Sequence, residues 1–177
     1  MVLTFGRYWM RYIVRCFPGA PFRRFRVFLW RCVGFRVHPS ANIMPTATLI
    51  CLDIEVGENT YAGEDVMITG GKVRIGKNCD IAPRVLIHAG SHNIGNSQRR
   101  AGETYGGVIE IGDGTWIGTG AIVLAGARIG KGCIVAAGSV VKGQFPDNVL
   151  IAGIPAEVKK QLLNSETDSL EKSDDVE

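Results

Sequence analysis

The stretch 111–144, IGDGTWIGTGAIVLAGARIGKGCIVAAGSVVKGQ, carries an aliphatic residue at every sixth position. A spacing of six matches neither the 3.6-residue period of a helix nor the two-residue alternation of a simple strand. A small or aliphatic residue usually stands two positions before each member of the column, and glycine often follows it. The column consists of Ile111, Ile117, Val123, Ile129, Val135 and Val141. This pattern predicts a narrow solenoid of short strands and tight turns.

The same period extends toward the N-terminus. Three earlier series keep it: Val37, Ile43 and Leu49; Val56, Ala62 and Ile68; Ile75, Ile81 and Ile87. Three hexads make one triangular turn of 18 residues, and turns stack like strands of a parallel sheet. The sequence therefore predicts an all-β fold, a parallel β-helix over residues 37–154. The five predicted turns are 37–54, 55–73, 74–92, 109–126 and 127–144.

The repeat is interrupted by residues 92–108, HNIGNSQRRAGETYGGV. This polar, glycine-containing stretch predicts a loop extruded from the solenoid, and long loops on rigid scaffolds are a frequent location of function. His92 stands at the base of the loop. A histidine titrates near neutral pH and is suited to remove a proton from a hydroxyl group. This chemistry makes His92 a candidate, and the resemblance described next implies that it is the general base.

Several segments together resemble the hexapeptide-repeat acyltransferases, in particular the galactoside, maltose, nodulation-factor and polysaccharide O-acetyltransferases. The resemblance covers residues 37–163. It implies a left-handed coil, a homotrimer, and transfer of an acetyl group from acetyl-CoA to a sugar hydroxyl on a polysaccharide or lipid-linked glycan precursor, with no metal. The matching segments are 90–92 (GSH), 99–105 (RRAGETY), 111–118 (IGDGTWIG), 137–141 (AGSVV), 145–148 (FPDN) and 152–156 (AGIPA).

The resemblance also implies roles for individual residues. Glu103 either orients His92 or accepts a hydrogen bond from the acceptor sugar, and a backbone N–H near Gly118–Thr119 is the expected oxyanion donor. Small residues would let the pantetheine chain approach the coil, and lysines would pair with the CoA phosphates. The implied acceptor-binding residues are Asp65, Glu103 and Tyr105. The implied CoA-binding residues are Trp116, Gly118, Thr119, Ala137, Gly138, Ser139, Lys142 and Lys160.

The two ends of the chain differ in charge from the solenoid. Residues 1–36 contain eight arginines, many aromatic residues and no acid. They predict helices that either cap the open end of the solenoid or lie on an anionic membrane surface. No nucleic-acid-binding motif accompanies the charge. Residues 155–163 predict a short C-terminal helix after Pro155, and the acidic residues 164–177 predict a disordered tail.

Other functions compete with sugar O-acetylation. An amino sugar or serine is an alternative acceptor. A γ-type carbonic anhydrase shares this solenoid but needs three zinc-binding histidines. His88 and His92 have no convincing third partner, since His38 lies turns away. A membrane-bound scaffold without activity is a further alternative. The five scattered cysteines lack CxxC spacing, which favours the cytoplasm, with peripheral contact at the inner membrane face left open.

Overall fold

A computed structural model describes residues 2–162 of the chain, with side chains from residue 6 onward. Two helices precede a three-sided parallel β-helix, from which one hairpin projects. The expected fold class, a left-handed parallel β-helix, is confirmed. The predicted disorder of residues 164–177 concerns a segment outside the described residues.

Each turn of the solenoid contributes a short strand to each of three faces. Face 1 contains β1 (Arg36–Val37), the second halves of β3 (Thr48–Val56) and β5 (Met67–Ile75), β10 (Val108–Ile111), β13 (Arg128–Ile129) and β16 (Gln144–Phe145). Face 2 contains β2 (Asn42–Ile43), β4 (Tyr61–Ala62), β6 (Asp80–Ile81), β11 (Trp116–Ile117), β14 (Ile134–Val135) and β17 (Val149–Gly153). Face 3 contains the first halves of β3 and β5, β7 (Leu86–His88), β12 (Ile122–Leu124) and β15 (Val140–Val141).

The aliphatic column forms the core. Ile117 pairs with Val135 and Val123 with Val141, so residues 18 positions apart lie one above the other. All four side chains are fully buried. The small residues two positions earlier, such as Ala121 and Ala127, are also buried. Each side of a turn therefore points one aliphatic and one small side chain into the core, which is too narrow for two large ones.

The glycine that follows many of the aliphatics lies where neighbouring turns come closest. A Cβ on Gly112 would stand 2.6 Å from the carbonyl carbon of Gly130 in the next turn. A carbon atom cannot approach backbone so closely, and any larger residue would push the turns apart. Gly112 and Gly130 thus keep the turns stacked at the corner between faces 1 and 2.

The solenoid has about six turns rather than the five predicted. The last turn pairs Phe145 with Ile129 and Ile151 with Val135. In both pairs the sequence separation is 16 residues, because the corner at Lys142–Gly143 is two residues shorter than its counterparts. Counting in sixes therefore loses the column after Val141.

The short C-terminal helix predicted for residues 155–163 is wrong. The segment forms β18 (Ala156–Gln161), which pairs antiparallel with β17. The free edge of β17 offers unpaired backbone groups, and pairing with them satisfies the backbone of the following segment. That tertiary pairing outweighs the helix propensity of the sequence AEVKKQ.

The N-terminal segment covers the opposite end of the solenoid. It forms α1 (Val2–Arg15), a short 3-10 helix (Ala20–Phe22) and α2 (Arg23–Cys32), and these helices contact β1, β2 and β3. Val14, Val27 and Trp30 are buried against the first turn. The two helices therefore cover the first turn of the solenoid.

Arg26 ties the second helix to the solenoid. Its side chain is only 1% exposed, and its guanidinium donates to the carbonyl oxygens of Ile43, Phe17 and Gly19 at 2.8 to 3.0 Å. Burial lowers the pKa of this guanidinium from its usual value. Hydrogen bonds to three carbonyls compensate for the removal of the charge from water.

Candidate active site

The interruption of the repeat is an antiparallel hairpin of β8 (Gly90–Ile94) and β9 (Ala101–Gly106). It begins two residues before the predicted 92–108 loop and ends at Gly106. At its base the N–H of Gly107 donates to the carbonyl of Ala89 at 2.6 Å. The solenoid therefore closes beneath the hairpin, which projects from the corner between faces 3 and 1, called the 3/1 corner below.

His92 lies exposed on β8, opposite Thr104. Its Nδ1 is 3.1 Å from the carbonyl oxygen of Gly102 and 3.3 Å from the Thr104 hydroxyl. A carbonyl only accepts hydrogen bonds, so this contact favours the tautomer with the proton on Nδ1. The lone pair of Nε2 is then available to accept a proton. The sequence did not point to Gly102 or Thr104, because a backbone carbonyl leaves no mark in a motif.

Glu103 and Tyr105 lie on the other face of the hairpin. Adjacent residues of a strand project to opposite sides, and Thr104 shares its side with His92. Tyr105 pairs with Ser91, and both Glu103 and Tyr105 are exposed. The orienting partner of His92 within one chain is therefore Gly102 rather than Glu103, which was one of the two expected roles for this carboxylate.

Most of the predicted CoA-binding residues stack at the corner between faces 2 and 3, the 2/3 corner. Gly118 and Thr119 occupy this corner in one turn, and Ala137 and Gly138 occupy it in the next. The Gly138 N–H donates to the Thr119 carbonyl at 3.0 Å, which joins the two turns. Thr119, Ala137 and Gly138 are exposed and Gly118 is buried.

One position of the 2/3 corner does not use its N–H for stacking. It is occupied in successive turns by Pro45, Glu64, Pro83, Thr119 and Ala137. Proline has no N–H to donate. Within residues 2–162, the N–H groups of Thr119 and Ala137 likewise have no backbone acceptor. Two N–H groups on adjacent turns are thus free to meet a ligand.

Ser139 differs from its predicted role. Its side chain is 2% exposed, and its hydroxyl accepts a hydrogen bond from the N–H of Gly153. The hydroxyl therefore faces the inside of the coil and supports the last turn. Its neighbours Ala137 and Gly138 are exposed instead.

The remaining predicted residues are spread over the surface. Trp116, 52% exposed, stands on face 2 between Asp80 and Ile134. Lys160 is exposed on β18, which extends the same face. Lys142 is exposed at the 3/1 corner, on the far side of β15 from Ala137. Asp65 is exposed at the 2/3 corner, two turns before Thr119.

The predicted residues therefore form two groups on one chain. His92, Glu103, Tyr105 and Lys142 belong to the 3/1 corner, whereas Trp116, Thr119, Ala137 and Gly138 belong to face 2 and the 2/3 corner. Face 3 separates the groups. A groove of about 810 Å³ on face 1, lined by Arg36, Glu55 and Arg74, contains none of them.

Two further polar groups were candidates for metal binding. His88 ends β7 beside the hairpin, half-buried, with Nδ1 2.8 Å from the Thr69 hydroxyl. His38 contacts Ser40 in the first turn. In the part of the chain that the structure describes, no three His, Cys, Asp or Glu side chains gather closely enough to hold a metal ion.

Comparison with known proteins places this chain among enzymes. Residues 109–143 match the profile of the family described as bacterial transferase hexapeptide (six repeats). The chain is 30% identical over 145 residues to WcaF of Escherichia coli strain K12, a protein provisionally named a colanic acid biosynthesis acetyltransferase. That match covers 81% of this chain and 78% of the relative.

Two further comparisons add detail. The chain is 35% identical over 111 residues to the galactoside O-acetyltransferase of Escherichia coli strain K12, covering 62% of this chain. It spans only 55 to 59% of the length of that protein and two other curated relatives. A hexapeptide-repeat acetyltransferase of Vibrio cholerae, solved with acetyl-CoA, superimposes with a TM-score of 0.78. It is 27% identical, and the match covers 92% of this chain and 88% of that one.

Proposed function

This chain belongs to the bacterial transferase hexapeptide family, and we propose that it transfers the acetyl group of acetyl-CoA to a sugar hydroxyl. The acceptor we propose is a polysaccharide or lipid-linked glycan precursor, since one relative is named for colanic acid biosynthesis and another for galactosides. The observation that carries the proposal is His92, with Nδ1 held by the Gly102 carbonyl and Nε2 open to solvent.

The chemistry follows from that histidine. Nε2 removes the proton of the sugar hydroxyl as its oxygen attacks the thioester carbonyl of acetyl-CoA. The carbonyl oxygen becomes an oxyanion, and the free N–H of Thr119 is our candidate donor to it. The tetrahedral intermediate then collapses, the carbon–sulfur bond breaks, and the imidazolium returns its proton to the CoA sulfur. The products are an acetylated sugar and free CoA, and the imidazole is neutral again.

We assign the 2/3 corner to CoA. The N–H groups of Thr119 and Ala137 are free for the amides of pantetheine or for the oxyanion, and Gly138 adds no side chain that would block the approach. Trp116 offers a half-exposed ring beside this corner. Lys160 and Lys142 are the cations proposed for the phosphates. Asp65, Glu103 and Tyr105 are proposed to contact the acceptor.

We propose that a complete site needs two chains. His92 and the 2/3 corner lie at different corners of one solenoid, with face 3 between them. A closed ring of like subunits brings one corner of each chain against another corner of its neighbour. We propose a homotrimer with three equivalent sites, located in the cytoplasm.

The first experiment measures thiol release from acetyl-CoA across sugars and glycan precursors. His92→Ala should lower the acceptor-dependent rate by about 100-fold or more, the scale of general-base catalysis. His38→Ala is the matched control, because His38 is also exposed on the coil but belongs to the first turn. Equal rates for wild type and His92→Ala would remove His92 from the mechanism.

A second experiment tests the two-chain site. Ala137→Tyr should fill the CoA corner from outside the core and inactivate the enzyme, as His92→Ala does. Refolding the two variants together creates sites that combine an intact His92 with an intact corner. If each site joins two chains, about a quarter of wild-type activity should return in a random equal mixture. Activity that stays absent from mixed assemblies would place the whole site in one chain.

A further inference from the structure

The outer sides of the two N-terminal helices are aromatic and exposed. In α1 the exposed aromatic and aliphatic side chains share one helical face, opposite the buried Met10 and Val14. In α2 the exposed rings lie opposite the buried Val27 and Trp30. The exposed apolar side chains of the segment are Tyr8, Trp9, Tyr12, Ile13, Phe22, Phe25 and Phe28.

The rings around α2 form one continuous surface. Phe17 contacts Phe25 with ring centroids 4.7 Å apart, and Phe25 contacts Phe28 at 6.3 Å. Phe28 is 57% exposed and Trp9 is 51% exposed. Other side chains of the same helices face the solenoid: Met10, Val14, Val27 and Trp30 are buried, and Arg7 and Arg26 donate to carbonyls of β3 and β2.

The eight arginines of this segment separate into two groups. Five are engaged with the protein. Arg7, Arg23 and Arg26 donate to backbone carbonyls, Arg36 pairs with Asp53 and Glu55, and Arg11 stacks on Tyr8 and Tyr12. These five account for the part of the charge that serves the fold.

The other three arginines, Arg15, Arg24 and Arg31, are exposed. Among the side chains of residues 6–162 they make neither a hydrogen bond nor an ion pair. No acidic residue occurs in the first 36 positions of the sequence. Each lies in the same two helices as the exposed rings.

We infer that the outer faces of α1 and α2 dock the protein onto an anionic lipid surface. Amphipathic rings enter the headgroup region of a bilayer, and arginines beside them attract anionic headgroups. In the described region neither helix combines the length and the apolarity needed to cross a bilayer. This inference does not depend on the proposed transfer reaction, since none of these residues belongs to the proposed site.

Vesicle sedimentation with the purified full-length protein tests the surface. The protein should sediment with vesicles of phosphatidylcholine and phosphatidylglycerol, and not with phosphatidylcholine alone. Each free arginine contributes roughly five-fold to partitioning, so Arg15→Gln, Arg24→Gln and Arg31→Gln together should weaken binding about 100-fold. The combination of Trp9→Ser and Phe28→Ser should weaken it by at least about ten-fold.

The matched control removes the same charge from the solenoid through Lys72→Gln, Lys77→Gln and Lys131→Gln, all exposed positions. This variant should bind vesicles nearly as wild type does. Brominated lipid should quench the fluorescence of the wild type more than that of Trp9→Phe. Light scattering and the acetyl-transfer assay with a water-soluble acceptor accompany every variant.

Three results would overturn the inference. The first is a wild type that does not bind anionic vesicles. The second is a lysine control that loses as much binding as the arginine variant. The third is an aromatic variant that keeps lipid binding but loses its oligomeric state, which would identify the surface as a contact between chains. Vesicle binding without any acetyl transfer would count against the proposed enzyme activity and leave the lipid surface standing.

Discussion

At the scale of single residues, His92 was predictable and its setting was not. Its position in the interruption and in the Gly90–His92 motif marked it as the candidate base. The groups that hold it are the carbonyl of Gly102 and the hydroxyl of Thr104. Strand pairing within the hairpin brings them to Nδ1, and the sequence read as a loop carries no such register. Ser139 was misassigned for a related reason, because only the packed coil shows that its hydroxyl faces inward.

The N–H of Thr119 can be removed without disturbing the coil. Its position in the corner holds Pro45 and Pro83 in two other turns, so Thr119→Pro should fold normally. Loss of one oxyanion donor typically lowers kcat by about 100- to 1000-fold. Steady-state kinetics should show this decrease with little change in the melting temperature.

Two variants control this test. Thr119→Ala retains the N–H and should retain most of the activity. Glu64→Pro places a proline at the same corner position two turns earlier and should leave the melting temperature near the wild-type value, which tests whether the corner tolerates proline. A fully active Thr119→Pro enzyme would show that another group stabilises the oxyanion.

The cysteines divide by burial in a way that a thiol reagent can measure. Burial raises the pKa of the Cys51 thiol to about 12 and also raises the pKa values of Cys79 and Cys133. A raised pKa keeps each thiol protonated and unreactive at pH 8, because only the thiolate attacks. A disulfide reagent should therefore modify Cys16 and Cys32, both exposed, in the folded protein. All five thiols should react in denaturant, and rapid modification of Cys51 at pH 8 would contradict the buried core.

At the scale of elements, the period of six predicted the faces and turns of the solenoid well and its ends poorly. From Val37 to Val141 each hexad forms one side of a stacked turn, because a repeated local pattern repeats the same packing. The short corner at Lys142–Gly143 hid the sixth turn. The strand β18 was read as a helix because its pairing partner, the free edge of β17, is a property of the assembled sheet.

The attachment of α2 depends on Arg26. Arg26→Met would leave the carbonyls of Ile43, Phe17 and Gly19 without their donor inside the protein. Unsatisfied buried groups cost about 1–3 kcal/mol each, so the free energy needed to detach α2 from the solenoid should fall by about 3–5 kcal/mol. Hydrogen exchange should accelerate in α2 and β2 and stay unchanged in β11 and β14. Arg24→Met, at an exposed position of the same helix, should show no such local change.

At the scale of the whole molecule, the solenoid holds the proposed base and the proposed CoA corner apart within one chain. The hairpin leaves from the 3/1 corner, and the free N–H groups line the 2/3 corner. The motifs predicted both groups as one site, since a sequence motif does not say at which corner of the solenoid each part lies. The threefold frame and the position of each corner come from the stacking of the turns.

The frame should survive without the hairpin. Deleting residues 90–106 joins Ala89 to Gly107, which corresponds to the existing Gly70–Gly71 junction one turn earlier. The variant should fold, with a melting temperature within about 3 °C of the wild type, a shift of roughly 1 kcal/mol. It should have no transferase activity because His92 is absent. Aggregation of this variant would mean that the hairpin supports the coil.

The reversal of chain direction at β18 also protects the molecule from end-to-end aggregation. Each rung of a parallel coil is a template for one more identical rung, so an uncapped coil can grow end to end into a fibre. An antiparallel strand on the last rung of face 2 presents the wrong edge for such growth, and the N-terminal helices block the first rung. Removing β18 would therefore expose a strand edge to which another chain could add. The two covered ends thus protect a six-turn coil from end-to-end polymerisation.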